Sequence, residues 1–343
     1  MYNFINDYSE GAHQKILDKL VETNLEQTIG YGQDPYTEKA KVALKNKINK
    51  QNVDIHFIPA GTQTNIVAIS SFLKSYEAVI SAETGHINVH ETGAIEHAGH
   101  KVLTAKTEDG KLTVPDVVRI LDSHSSEHMV KPAMVYISNP TELGTIYSKE
   151  ELENLYAFCQ EKGLLLYLDG ARLANALTSK SNDLTLETIA NNIHCFYVGG
   201  TKNGALFGEA LVIVKDELKE NFRYYIKQNG ALLAKGRLLG IQFLTLFTDH
   251  LYEENGAHAN AMAEILRIGI KELGYEFLSE SDTNQIFPIF PNTILDQLAK
   301  EYGYETQMEV DDTHTCIRLV TSWATIEDEA HNFVEYLKTI SSK

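Results

Sequence analysis

The chain has 343 residues, 43% of them hydrophobic and 22% charged, and its net charge is −17. This balance excludes collagen-like, disordered and membrane-embedded classes. It also makes nucleic acid and anionic membranes poor partners, because phosphate repels an acidic surface and no run of Lys or Arg supplies a local basic patch.

A chain this long is expected to form two domains, or one large domain with an appendage, and to bury enough surface to need neither disulfides nor a structural metal. The first residues, MYNFIND, have no basic n-region and no apolar h-region. No stretch approaches the roughly 20 apolar residues of a membrane span. Cys159, Cys195 and Cys316 are odd in number, far apart and set in apolar surroundings. They read as buried thiols in a reducing compartment, without metal-ligand spacing. A cytoplasmic protein without a metal site is expected.

In chain order, Thr62–Leu73 is an amphipathic helical pattern, followed by apolar strands at Ala78–Ser81 and Lys101–Ala105. A helix at Val114–Ser123 leads to the strand Ala133–Ser138. The helix Lys149–Glu161 has Ser148 as N-cap, Glu151 closing a capping box and Gly163 ending it. Strands at Leu164–Asp169, Cys195–Val198 and Leu211–Val214 follow. Short apolar strands alternating with amphipathic helices predict an α/β fold, a mostly parallel sheet covered on both faces. A long helix around Ala231–Leu251 is expected to connect this part to a small α+β domain. There a helix near Ala257–Leu273 precedes strands near Gln285–Phe290 and Cys316–Val320. The expected division is 12–252 for the large domain, and 1–11 with 253–343 for the small one.

The segment LLLYLDGARLANA, residues 164–176, carries the most information. Asp169 ends a hydrophobic strand, and Gly170 lets the chain turn. Ligands of open α/β sheets bind beyond the carboxyl ends of the strands. Taken alone, Asp169 reads more readily as the cap of the following helix. In FYVGGTKNGALFGEALVIV, residues 196–214, Lys202 follows another buried strand. Gly199, Gly200 and Gly204 around it would let a bulky group approach the backbone. Singly, Lys202 reads as a surface loop lysine. As a pair, the two meet the needs of pyridoxal phosphate: an amine to form a Schiff base, and a carboxylate to keep the pyridine nitrogen protonated.

Three further features gain weight beside that pair. Gly61 and Thr62 open a helix whose free N–H groups favour a phosphate, although Thr62 also reads as an ordinary N-cap. His86, just past Ala78–Ser81, is suited to stacking on a ring or to acid–base work, or is an exposed loop residue. His90 reads as structural and Glu91 as secondary. Arg318, inside a strand, fits an α-carboxylate or an internal salt bridge.

These motifs resemble the low-specificity L-threonine aldolases, in the branch that includes the phenylserine aldolases, within the fold type I pyridoxal-phosphate enzymes. The markers are YGQDPYT (31–37), AGTQTN (60–65), GHINVHETGA (85–94), DGARLANA (169–176), GGTKNG (199–204) and IRLVTSW (317–323). The resemblance implies an aspartate aminotransferase-like fold and cleavage of β-hydroxy-α-amino acids to glycine and an aldehyde. A β-eliminating lyase or an aminotransferase on the same fold is the alternative. It also implies that Lys202 carries the cofactor, Asp169 pairs with its ring nitrogen, His86 stacks on it, and Gly61 and Thr62 hold its phosphate. Arg172 and Arg318 would hold the substrate carboxylate, with Arg172 also touching the cofactor. Sites shared across a homodimer or homotetramer are implied, with Tyr31 lining a neighbour's site and Lys235, or Lys227 behind it, reaching the neighbour's phosphate. Asn6 stands where relatives carry a serine that touches the substrate carboxylate. Asn139-Pro140-Thr141-Glu142 stands where many carry a histidine.

Overall fold

In the computed structural model, which describes residues 1–342, hydrophobic strands between Asp54 and Ile213 assemble one seven-stranded sheet. The strands of the chain are β1 Tyr2–Asn3, β2 Asp54–Ile58, β3 Glu77–Ala82, β4 Val102–Ala105, β5 Lys131–Ser138, β6 Leu165–Asp169, β7 Cys195–Gly199 and β8 Glu209–Ile213. After them come β9 Gln285–Ile286, β10 Ile289–Pro291, β11 Tyr302–Gly303, β12 Glu305–Glu309 and β13 His314–Val320. The large sheet runs β2-β8-β7-β6-β5-β3-β4. Its five strands from β7 to β4 are parallel, whereas β8 is antiparallel to both β7 and β2. The chain from β7 to β8 is too short to hold a crossover helix, so it must return antiparallel. That short connection carries Lys202.

Side chains alternate between the faces of this sheet with period two. Val135, Leu166, Leu168, Phe196, Val198 and Val212 face the helices Pro35–Ile48, Lys149–Lys162 and Arg237–Leu246. Met134, Tyr136, Tyr167, Tyr197 and Leu211 face the helix Gly61–Phe72 through its Val67, Ala68 and Ile69. Each such aliphatic side chain contributes roughly 1.5–3 kcal/mol by leaving water. The alternation also puts Asp169 on the face of Tyr167, under Gly61–Phe72.

A separate core gathers Phe4 with Leu266, Ile317, Leu319, Phe333 and Leu337. β1 pairs in parallel with β11, and the Val320 N–H donates to the Phe4 carbonyl at 2.8 Å. The last residue of the expected small domain, Lys343, lies outside the described residues. The three cysteines are buried and free, and burial pushes the Cys159 and Cys316 thiols up to about 12. Among the described residues no helix is long and apolar enough to cross a membrane.

Two expectations are corrected. The stretch Ala231–Leu251 is not one helix: it is helical over Arg237–Leu246, breaks where Asp249 and His250 take positive φ (53° and 62°), and restarts as Leu251–Glu272. Strand β2 was not expected, because DIHFI mixes Asp and His into its alternation.

His56 on β2 has a buried Nε2 without a partner, and burial drives its imidazole down to about 3. The unfolded chain therefore takes up the proton first, near pH 6.5, and stability is lost as pH falls from there toward 3. His56→Gln should recover up to about 2 kcal/mol of that loss at pH 5. Urea denaturation at pH 5 and 7 checks this, and an equal acid loss in both proteins would refute it.

Candidate active site

The carboxyl ends of β3, β5, β6 and β7 open onto a cavity of about 550 Å³. Asp169 is the last residue of β6, and Lys202 lies three residues beyond β7, its direct neighbour in the sheet. The two strand ends approach closely because glycines sit between them. A Cβ on Gly170 would lie 2.0 Å from the Tyr197 carbonyl oxygen, and one on Gly199 would lie 2.3 Å from that of Ala171. The glycines around Lys202 were expected to leave room for a bulky group. Instead their space is filled by protein, with Phe243 against Gly200 and Asn255 against Gly204.

Asp169 is held as an anion. Its Oδ1 accepts from Tyr197 Oη at 2.5 Å and from the Ala171 N–H at 3.0 Å. Its Oδ2 accepts from Tyr136 Oη at 2.6 Å and Asn65 Nδ2 at 3.2 Å. Burial works against the charge, but His86 and these donors outweigh it and hold the carboxyl below the usual carboxylate range. Lys202 is half-buried, and its Nζ has no hydrogen-bond or ion-pair partner among the described residues. Burial and the Arg172 guanidinium lower its pKa, which favours the free amine a nucleophile needs.

Beside the lysine loop, Glu209 accepts from Thr201 Oγ1 at 2.8 Å and the Gly200 N–H at 3.1 Å. Burial nevertheless pushes its carboxyl above the usual carboxylate range. Its register opposite both Ile58 and Gly199 sets it between the Gly61 helix and Lys202. That helix begins with no side-chain cap, and its first residues, Gly61 and Thr62, line the cavity. Uncapped amides there are free to bind an anion.

His86 opens the short helix His86–Val89 beyond β3. Its Nδ1 lies 2.8 Å from the buried Glu91 Oε1, which also accepts from Asn65 Nδ2 at 2.7 Å. Burial depresses the imidazole, but Glu91, Glu142 and Asp169 outweigh that and raise its pKa. Asn65 thus ties the histidine's partner to Asp169. Glu91 is more than secondary, and His90, read as structural, lines the cavity.

Arg172 and Arg318 both reach the cavity, each with an internal carboxylate. Asp7 takes Arg172 Nε at 2.6 Å and Nη2 at 3.1 Å, leaving Nη1, while Arg318 pairs with Glu305, its cross-strand neighbour on β12. Asn6 does not line the cavity. Its Oδ1 accepts from the Tyr8 N–H and the Ser9 hydroxyl, each at 3.0 Å, and Tyr8 reaches the cavity instead. Tyr31, Lys227 and Lys235 lie outside the cavity of their own chain; Lys227 Nζ sits 4.9 Å from the Tyr31 ring centre.

A lysine and an aspartate on adjacent ends of a mostly parallel sheet, above an uncapped helix, define a fold type I pyridoxal-phosphate enzyme. A family model described as beta-eliminating lyase matches residues 4–292. A solved threonine aldolase from Leishmania major is 51% identical, with a TM-score of 0.98 over 99% of this chain and 100% of that one. A low specificity L-threonine aldolase from Pseudomonas sp. (strain NCIMB 10558) is 31% identical over 99% of this chain and 98% of that protein. The histidinol-phosphate aminotransferase from Clostridium acetobutylicum shares the fold, at 15% identity and a TM-score of 0.75 over 100% and 99% of the two chains. The chain belongs to the beta-eliminating lyase family, among its low specificity L-threonine aldolases.

Proposed function

We propose that the protein cleaves L-threonine, L-allo-threonine and related β-hydroxy-α-amino acids into glycine and an aldehyde. The observation that carries this is the unpartnered Lys202 amine beside the anionic Asp169, in a cavity that also holds Arg172 and Arg318. The cofactor is pyridoxal 5′-phosphate, which when bound supplies an electron sink for a carbanion at Cα. The donor set fits it. Lys202 would hold it covalently and Asp169 would pair with a protonated ring nitrogen. Gly61 and Thr62 would take its phosphate, and His86 would lie against its ring.

Arg172 would offer its remaining Nη, and Arg318 its fork, to the substrate carboxylate, fixing the Cα–Cβ bond for cleavage. Asn6, next to Asp7 and Tyr8, would support that grip from outside the cavity wall. We read the protein as a cytoplasmic homo-oligomer, dimer or tetramer. In it, Tyr31 and a lysine, Lys235 or Lys227, serve a neighbouring subunit's site, consistent with their absence from the cavity of their own chain. The same reading divides the chain into 12–252, and 1–11 with 253–343.

The test is production of glycine and acetaldehyde from L-threonine and L-allo-threonine by the purified protein supplied with pyridoxal phosphate. Equal amounts of both products are expected. Ammonia with a keto acid, or amino-group transfer to a keto acid, would replace the reading by a lyase or an aminotransferase.

Glu305 competes with substrate for Arg318, and its side chain is 44% exposed. Although the Arg318 side chain is 12% exposed, the open carboxylate is screened by water, which limits the pair to about 0–1 kcal/mol. Glu305→Gln should therefore lower KM for threonine by up to roughly 5-fold with kcat little changed. A raised KM would show that Glu305 helps to bind substrate.

A further inference from the structure

One acidic side chain in the cavity has no work assigned to it. Glu142 sits on the loop after β5, whose last residue, Ser138, is in register with Asp169. The loop is firmly held. The Asn139 N–H donates to the Asp169 carbonyl at 3.0 Å, the Thr141 N–H to Thr145 at 2.8 Å, and Ser279 Oγ to the Leu143 carbonyl at 2.7 Å. Asn139 and Thr141 are buried, at 1% and 2% exposure, whereas Glu142 is half-buried and lines the cavity. Its carboxylate has no hydrogen-bond or ion-pair partner among the described residues. It stands near enough to His86, Arg172 and Lys202 for its charge to act on all three.

The other carboxylates around the cavity are engaged. Asp169 has four donors; Asp7 and Glu305 are paired with arginines; Glu209 is held by Thr201 and Gly200. His86 gives Nδ1 to Glu91, and Glu91, Glu142 and Asp169 outweigh burial and raise its pKa, so a larger share of it is protonated and without a lone pair. His90 lines the cavity without a hydrogen bond among the described residues, but it is exposed.

We infer that Glu142 is a catalytic residue whose carboxylate takes the proton of the substrate's β-hydroxyl as the Cα–Cβ bond breaks. This rests on the aldol-cleavage reading. The O–H electron pair forms the second bond of the departing aldehyde's carbonyl, and the Cα–Cβ pair stays on the glycine fragment. Glu142 then passes its proton to solvent, Cα takes one up, and no oxidant or reductant is needed. A carboxylate carried by this hydrogen-bonded loop on one side of the cavity would also select among β-substituents and between the two configurations at Cβ.

The experiment compares two reactions of the holoenzyme: threonine cleavage, and exchange of the glycine α-protons with deuterium from solvent, followed by NMR. Exchange needs Lys202 and Asp169 but no β-hydroxyl. Glu142→Gln should exchange glycine protons within about 2-fold of wild type while its kcat for cleavage falls on the order of 10²–10⁴-fold. The change in cofactor absorbance on glycine addition should give an unaltered Kd. Cleavage by Glu142→Gln within a few-fold of wild type would overturn the inference. So would an equal fall of both reactions, the mark of a structural role, or loss of cleavage in His90→Gln with Glu142→Gln intact. A wild-type protein that exchanges glycine protons but cleaves no β-hydroxy amino acid would instead remove the functional reading, and this inference with it.

Discussion

Lys202→Ala is expected to yield a folded protein that lacks the visible absorption band of a covalently held cofactor and whose threonine cleavage is lower by on the order of 10⁴-fold or more. Two features of the site support both halves of that expectation. Lys202 Nζ makes no hydrogen bond or ion pair among the described residues, so truncating it removes no internal bond. It also deletes a half-buried amine beside Arg172, which relieves like-charge repulsion. Thermal melting of the variant without added cofactor should accordingly match wild type within a few degrees. An unchanged visible band would sink the assignment of Lys202 as the attachment point.

Asp169→Asn is expected to keep the visible band and to lose about 10²–10³-fold in kcat, the usual cost of removing one preorganised electrostatic partner of a developing charge. The loss follows from the protonation of the ring nitrogen, which an ionised carboxylate maintains and a neutral amide does not. Four donors converge on this carboxylate, so an amide NH₂ must face at least one of them. That mismatch adds about 1–3 kcal/mol of destabilisation. Stopped-flow absorbance with glycine separates binding from turnover, and near-wild-type turnover would remove the electron-sink role of Asp169.

The chemistry-bearing pair was legible because Asp169 ends, and Lys202 follows, a strand buried on both faces, and such strands read as unbroken apolar runs. The helix Lys149–Lys162 was equally plain, since its capping box and Gly163 are local signals, and both occur as expected. The groups around the pair were not legible. Asn65 meets Glu91 across 26 residues and Asp169 across 104, and only the sheet order brings them together. Tyr136 and Tyr197 look like ordinary strand aromatics until period-two alternation aims their hydroxyls at Asp169. Glu209 did carry a signal, an acidic residue opening an otherwise apolar strand, yet that strand was expected to start only at Leu211. β12 was missed because ETQME is polar except for Met308; β13 alone gives it an extended form.

The pairing of Phe4 with Val320 has a consequence for how the molecule is made. Ribosomes add about 5–20 residues per second, so Phe4 waits roughly 15–60 s for Val320 to emerge. During that interval the sheet from β2 to β8 can already have formed around Arg172, with Asp7 not yet docked on it. The buried guanidinium is therefore completed last, and a nascent chain stalled before β13 should hold Lys202 and Asp169 in place while Arg172 stays open to small anions. Limited proteolysis of such stalled chains, cutting at residues 1–11 but sparing the sheet, would reveal that order.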